Sequence, residues 1–415
     1  MSLRASVVVV SRHRAEALRR CLVSLQQVWA VAFEVIVVAD PAGIDAVGDM
    51  PGVIRIPFDA ANIAQARNLG IDAARGDIIS FIDDDAVAEP CWLERLLEPF
   101  ADPEVAAVGG YVIGRNGFSY QWKGRLVSRD ASTQDWDPGA PIPDGWAVKT
   151  EGTNMAVRSD VLRGLGGFDP AYRFYLDETD LNIRLAQAGH RVDLVPDARV
   201  HHGFAESARR GPDRVPRDLT DIGRSTAAFA RRHAPDQAEG IVARIRAEQA
   251  ARVARYLANR KLTRDQAKAL MAGFDTGVAD APAPTPLEPR PSPVAAAGGS
   301  VAPFPPPRPR SDLAVVSGRP WQRARVQDAA QSSDQPSLAV ILEPTTRRHQ
   351  LRFLSDGYWL QTGGIWGASE RSGPMVQPGR FGRRVGREAQ RLAVSFGIRL
   401  RKKKSIEQDF PHEGS

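Results

Sequence analysis

The strongest constraint in this chain is a series of short, nearly unbroken apolar runs separated by stretches of helical spacing. Residues 7–10 read VVVV, 33–38 FEVIVV and 78–82 IISFI, with a shorter run, VIRI, at 53–56. Between them, residues 15–27 set Leu18, Cys21, Leu22 and Leu25 at helical intervals, and residues 62–74 read as a second helix. A strand that is apolar at successive positions must be covered on both faces, because alternate side chains point to opposite sides of the sheet. Such strands joined by helices predict an α/β fold with a mostly parallel sheet flanked by helices. Ligands bind such sheets at the carboxyl ends of the strands, and the unusual polar clusters of this chain fall there.

With 415 residues, 43% hydrophobic and 25% charged, the chain has the composition of a soluble protein with more than one domain. No run approaches the roughly 18 apolar residues of a spanning helix. The start, MSLRASVVVVSRHR, is too short in apolar length for a secretory signal. Cys21 and Cys91 lack metal or disulfide spacing and read as small buried side chains in a reducing compartment, so a cytoplasmic location is expected. The net charge of +6 is uneven: residues 371–404 hold eleven Lys or Arg and one acid, Glu388. The body is therefore slightly acidic, and no nucleic-acid partner is expected.

Four regions follow. Residues 1–217 carry the alternating strands and helices, and 218–275 are Ala- and Arg-rich with helical spacing and form a helical extension. Residues 276–312 form a Pro/Ala-rich linker, since 281–310 contain eleven of the 31 prolines, and PFPPPRPR cannot build a core. Residues 313–415 make a small α+β module, with strands at 337–342 and 350–360, turns at Gly363 and Gly364, and core aromatics Tyr358, Trp359 and Trp366. Its basic tail, ending RLRKKK, is either solvated or a tethered contact with an anionic membrane, where lipid-linked acceptors would lie.

The chemistry concentrates in three places. Asp83, Asp84 and Asp85 end the run IISFI, and three adjacent acids need a cation or donors to compensate them. They can bind Mg²⁺ or Mn²⁺ shared with substrate phosphates, or form a solvated turn capping a helix near Glu89. Asn62 suits a helix cap and Gly70 a close-packing site. After the stretch GTNMAVRSDVLRGLGGFD come Asp177, Glu178 and Asp180; Asp180 and Arg184 are spaced for an i,i+4 pair, and Asp177 suits the N-cap. Glu178 is left without a structural task, which makes it a candidate general base.

The segments VVVVSRHR, EVIVVADPAG, NIAQARNLG, GDIISFIDDD, GTNMAVRSDVLRGLGGFD, DETDLNIRL and VHHG together resemble the family 2 glycosyltransferases, over about residues 6–207. The resemblance implies the GT-A nucleotide-binding fold and a metal-assisted, inverting transfer of sugar from a nucleotide diphosphate. It places Asp40 near the nucleotide base, although the usual acid pair is Ala39-Asp40 here. It places Ser11, Arg12, Asn62, Arg67, Asp83, Asp84, Gly152 and Asn154 around the nucleotide sugar. Asp85, with Asp83, resembles the DxD metal motif, and His201 or His202 a late metal-holding histidine. The family's Glu-Asp pair is reversed as Asp177-Glu178; position favours Glu178 as base, with Asp177 the alternative. The cofactor implied is Mn²⁺ or Mg²⁺, and the acceptor a glycan or lipid-linked hydroxyl. Two rivals are a sugar nucleotidyltransferase, whose Gly-rich loop is replaced by SRHRAEAL, and a non-catalytic nucleotide-sugar-binding scaffold.

Overall fold

The computed structural model describes residues 3–203, 211, 215–291, 303–304, 310–370 and 372–400. Strand β1 (Ala5–Ser11) leads through α1 (Ala15–Leu25) to β2 (Phe33–Ala39), α2 (Pro41–Ala46), β3 (Val53–Pro57), α3 (Ile63–Ala73) and β4 (Ile78–Asp83). Next come β5 (Ala86–Ala88), α4 (Trp92–Leu97), β6 (Val105–Ile113), β7 (Tyr120–Trp122), β8 (Arg125–Ser128), β9 (Thr133–Asp135) and β10 (Trp146–Val148). Strand β11 (Met155–Arg158), α5 (Ser159–Gly164), α6 (Asp177–Gln187) and β12 (Arg191–His202) complete this body. Its main sheet runs β3-β2-β1-β4-β11-β6-β12-β5, with β7 beside β6. The four strands β3, β2, β1 and β4 are mutually parallel, and β11 enters antiparallel between β4 and β6.

The period of the strands builds two cores at once. Val7, Val9, Val35 and Val37 face α1 and pack with Leu18, Leu22 and Leu25. Val8, Val10, Ile36 and Val38 face the other way, toward Ala64, Ile71, Leu181 and Leu185 of α3 and α6. Every residue of β1 and β2 is buried, which is why these runs read as apolar throughout. Chain order reverses direction between β1 and β4, and the crevice outside their carboxyl ends is where such a sheet binds ligands.

Helices α7 (Thr220–His233), α8 (Ala238–Ala258) and α9 (Arg264–Ala279) pack on one another through Leu219, Ile241, Ile245, Leu270 and Phe274. They are tied to the sheet body: His233 lies 2.8 Å from Asp180, and Arg232 2.6 Å from Asp169. Described parts of the Pro-rich stretch lie against the body rather than spanning free space. The Phe304 side chain is buried in the α1-side core and its N–H donates to Phe33 O at 2.8 Å, while Arg310 pairs with Glu94 at 2.6 Å.

The last module contains β13 (Ala314–Gly318), α10 (Arg323–Gln331), β14 (Ser337–Glu343), β15 (Gln350–Phe353), β16 (Trp359–Gly364) and α11 (Phe381–Ser395). Its sheet order is β13-β14-β16-β15, with only β15 antiparallel. Helices α10 and α11 contribute to two separate apolar clusters on this sheet, α10 with Ala339, Ile341 and Leu360, α11 with Leu338, Val340 and Leu342. Several expectations change here. Residues 350–360 are two strands joined by a turn, and Gly363 and Gly364 end a strand instead of making the turn. Tyr358 and Trp359 are core, whereas Trp366 is 37% exposed. Much of the basic segment is α11, which buries Val385, Ala389 and Leu392 and pairs Arg384 with Glu388 at 3.0 Å. Residues 401–404 of the basic tail lie outside the described residues. The helix expected near Glu89 begins at Trp92, because β5 intervenes. Among the described residues no helix is long and apolar enough to cross a membrane.

Gly70 is where α3 crosses β1 most closely: a Cβ there would sit 2.4 Å from Cγ1 of buried Val8. Alanine in a helix interior gains about 1 kcal/mol over glycine, but overpacking a core typically costs about 1–3 kcal/mol. The methyl it would strike belongs to a stiff β-branched side chain. Gly70→Ala should therefore lower stability by up to about 2 kcal/mol in urea denaturation. An unchanged or higher midpoint would show that this contact relaxes.

Candidate active site

The carboxyl ends of β1 and β4 open into a cleft of about 760 Å³ walled by the β1–α1 loop, α3, the segment 149–153, the start of α6, His202 and one side of α8. The sequence places acids at its floor: β4 ends at Asp83, and Asp84 and Asp85 form the turn leading into β5. Asp83 and Asp85 reach the cleft; Asp84 turns inward and is fully buried. Ser11 Oγ donates to Asp84 Oδ2 at 2.6 Å, and Arg14 pairs with its other oxygen at 2.5 Å. Burial pushes the Asp84 carboxyl up to about 7, against the pull of Arg14. Asp84 thus braces β1 against β4 and does not face a nucleotide sugar, a correction to the sequence reading. Nor does the triplet cap a helix.

Asp83, Asp85 and His202 offer ligand atoms that all lie within 4.8 Å of one another. His202 Nε2 is 3.0 Å from Asp85 Oδ1, and its Nδ1 lies 3.2 Å from Gln121 Oε1. Since an amide oxygen can only accept, Nδ1 donates to Gln121, and a neutral imidazole then turns its Nε2 lone pair toward the carboxylates. Two acids and an imidazole nitrogen converging there make a donor set that a divalent cation can bridge. The set of two hard carboxylates and one imidazole fits Mn²⁺, and Mg²⁺ less well. Of the two histidines, His202 is the one at this cluster. His201, the next residue of the strand, points to the opposite face, 3.1 Å from Glu89.

Across the cleft stand Asp177 and Glu178. The residue before them, Leu176, has left-handed backbone (φ 67°) and is the N-cap of α6, so Asp177 is the first helical residue and not the cap. Strain of this kind in a non-glycine residue persists where packing enforces it. Asp177 is locked onto Arg67 in a short, buried ion pair. Arg67 also reaches Asp83 at 3.3 Å and the Gly152 carbonyl at 3.2 Å. A Cβ on Gly152 would come 2.5 Å from the Arg67 guanidinium, so glycine is what leaves room for it. Glu178 keeps 20% of its side chain exposed, and Lys149 Nζ donates to it and to Glu151, each at 3.1 Å. Burial raises both acids, but for Glu178 the charges of Lys149 and Arg67 outweigh it and hold the carboxyl down at about 2, while Asp177 is pushed up to about 7. Glu178 is the ionised, accessible member.

The remaining expected residues divide. Ser11, Arg12, Asn62 and Gly152 line the cleft. Asn62 also caps α3, its Oδ1 accepting from Gln65 N at 3.0 Å, and Arg12 is paired with Asp59 at 2.9 Å. Asp40 and Asn154 are not among the lining residues. Asp40 accepts from the His13 N–H at 2.7 Å and so holds the β1–α1 loop. Asn154 is fully buried, donating to the carbonyls of Tyr111 and Ala198 at 3.0 and 2.9 Å and accepting from Trp92 at 2.7 Å. Sequence reasoning passed over Arg14, Gln121, Trp122, Lys149 and Glu151. Arg14 stands three residues beyond Ser11 in the loop leaving β1, and Lys149 just ahead of Gly152; proximity to those motifs was the available signal. Gln121 and Trp122 carried none.

Residues 6–165 match the family described as "Glycosyl transferase family 2". The pre-mycofactocin glycosyltransferase of Mycobacterium tuberculosis is 31% identical over 250 residues, covering 57% of this chain and 49% of the relative. The O-antigen biosynthesis protein RfbC of Myxococcus xanthus is 27% identical over 240 residues, covering 51% of this chain and 18% of the relative. The chain thus spans half or less of the length of these two relatives. A solved mannosyltransferase from Pyrobaculum calidifontis, in complex with GDP-Man and Mn²⁺, aligns at 16% identity and a TM-score of 0.41 over 67% of this chain and 87% of that one. The match to glycosyl transferase family 2 thus covers the strands and acids at the floor of the cleft, and side chains from beyond residues 6–165 complete it.

Proposed function

We propose that the protein transfers a sugar from a nucleotide-diphosphate sugar to an acceptor hydroxyl, with inversion, in glycan or polysaccharide synthesis. The observation that carries this reading is one cleft holding a cluster able to ligate a metal ion, Asp83, Asp85 and His202, opposite a separate ionised carboxylate, Glu178. A divalent cation held by that cluster would neutralise charge on the departing diphosphate. Ser11, Arg12, Asn62 and Gly152, which line the cleft, contact the donor in this reading. Glu178 takes the proton of the attacking hydroxyl, and Arg67 ties both sides of the cleft together. Direct displacement needs no second nucleophile. A nucleotidyltransferase is disfavoured because the loop after β1 offers Arg12, His13 and Arg14 where phosphate-cradling glycines would be needed. A binding scaffold has no need of an ionised, accessible Glu178.

One observation favours Asp177 as the base instead: its carboxyl is raised toward neutrality, where a base accepts protons readily. Its side chain, however, is 3% exposed and engaged by Arg67. Glu178→Gln should therefore lower kcat roughly 10²–10⁴-fold while nucleotide binding persists. If Asp177→Asn is the crippling change and Glu178→Gln the mild one in sugar-nucleotide turnover, the roles are exchanged.

The acceptor is a glycan or lipid-linked hydroxyl in this reading, and residues 401–404 bring the protein to an anionic membrane surface on the cytoplasmic face. Because α11 is folded onto its module, the informative comparison removes only the residues after Leu400. That shortened chain should retain turnover with a soluble acceptor. It should also sediment less with anionic vesicles than the full chain, by up to about 1 kcal/mol per basic residue lost. The difference should shrink with added salt. Equal sedimentation of the two chains would remove the membrane contact.

A further inference from the structure

Strand β5 follows the aspartates without a break, and it pairs with the end of β12, setting His201 opposite Val87 and His202 opposite Ala86. The N–H of Gly203 donates to the Asp85 carbonyl at 2.8 Å, closing this two-strand ribbon at the cluster. Side chains alternate along it. Within the ribbon His202 shares a face with Ala86, and His201 with Val87; His202 and the turn residue Asp85 line the cleft, whereas Val87 and His201 face the carboxyl-terminal module.

That outer face is gripped closely. Val87 belongs to the apolar cluster of β14, β16 and α11. The His201 ring lies 4.8 Å from the fully buried Trp359 ring, edge to face. Glu89, one residue past β5 and buried, bonds His201 at 3.1 Å and accepts from Ser395 Oγ, at the end of α11, at 3.0 and 3.1 Å. Arg199 of β12 donates to the same Ser395 hydroxyl at 3.1 Å, and Arg95 of α4 to its carbonyl at 2.7 Å. Further out, Leu351 N–H donates to Asn116 O at 3.0 Å.

We propose that the carboxyl-terminal module is a clamp for the metal cluster, with Trp359 and Ser395 as positioning residues that act through His201 and Glu89 on His202 and Asp85. The proposal rests on the reading of Asp83, Asp85 and His202 as a metal site. Its physical basis is that β5 has only three residues and β12 as its one neighbour in the sheet. Such an edge ribbon holds its register through what packs on its outer face. Here that face is supplied by the module, more than 100 residues further along the chain. Rotation of His201 or slippage of β5 would displace the next residue and separate the ligand atoms. The module's aromatic core and α11 would then serve the donor site without touching it.

The test measures Mn²⁺ affinity directly, from the loss of the free-ion electron paramagnetic resonance signal on adding full-length protein. Wild type should bind and Asp85→Ala should not. Trp359→Ala should weaken binding about ten- to a hundredfold, as outer-shell partners of metal ligands commonly do, and Trp359→Phe should restore most of it. Ser395→Ala, which leaves the module's apolar core intact, should weaken binding by a smaller factor, several-fold. Turnover in Ser395→Ala should return toward the wild-type kcat at saturating Mn²⁺, which general loss of structure would not allow. Wild-type protein that binds no Mn²⁺ would overturn the metal reading and the clamp with it. Mn²⁺ binding by wild type that is lost in Asp85→Ala but unchanged in Ser395→Ala, and in Trp359→Ala, would overturn the clamp alone.

Discussion

The Arg67 guanidinium is the interaction on which the cleft depends. It is buried, and it joins three acceptors from separate parts of the chain: Asp83 at the end of β4, the Gly152 carbonyl, and Asp177 at the start of α6. Removing the guanidinium and the Asp177 carboxylate from water is costly, and the arrangement holds only while each partner is in place. Loss of Arg67 would leave Asp177 as an uncompensated buried acid. The pair is therefore better understood as fixing geometry than as a net source of stability. It sets the distance between the acids on the sheet side and Glu178 on the helix side. The Phe168 ring lies 5.1 Å from the same guanidinium and confines it further.

The other side of the cleft follows the same logic with different groups. Arg14 compensates Asp84 and reaches Asp85 at 3.4 Å, and Lys149 is shared between Glu151 and Glu178. Three cations are thus each set against at least two acids. Arg67 and Arg14 also reach Asp83 and Asp85, and with His202 these acids form a donor set suited to a divalent ion. Charge compensation by these residues gives the cleft its rigidity.

The parallel half of the sheet was legible because burial on both faces writes itself as VVVV, FEVIVV and IISFI. The acid triplet was legible as a cluster, but its sorting was not. Asp84 faces inward only because β4 ends where it does, and the three residues give no sign of that in composition. The mixed half was harder to read: β6 carries Gly109 and Gly110, where close approach of Leu194 and of Asn154 replaces side-chain bulk, and β7 to β10 are three or four residues long. The expectation of a tethered module failed for a physical reason. Proline content shows that a segment has no core of its own, but not whether it lies on another core, as Phe304 does. Likewise the positive charge after residue 371 concealed an amphipathic helix, because arginine spacing masks Val385, Ala389 and Leu392. His201 and His202 were indistinguishable as neighbours, and the strand's two-residue period decides between them.

Calorimetric titration of the full chain with UDP, GDP and dTDP, each with and without Mn²⁺, measures the donor site without requiring the acceptor. At least one nucleoside diphosphate should bind at a single site, and Mn²⁺ should tighten it at least about tenfold, equivalent to roughly 1.4 kcal/mol. That gain should vanish in Asp85→Ala. Absence of binding by all three, or binding indifferent to both Mn²⁺ and Asp85, would contradict a metal-assisted nucleotide-sugar cleft at the ends of β1 and β4.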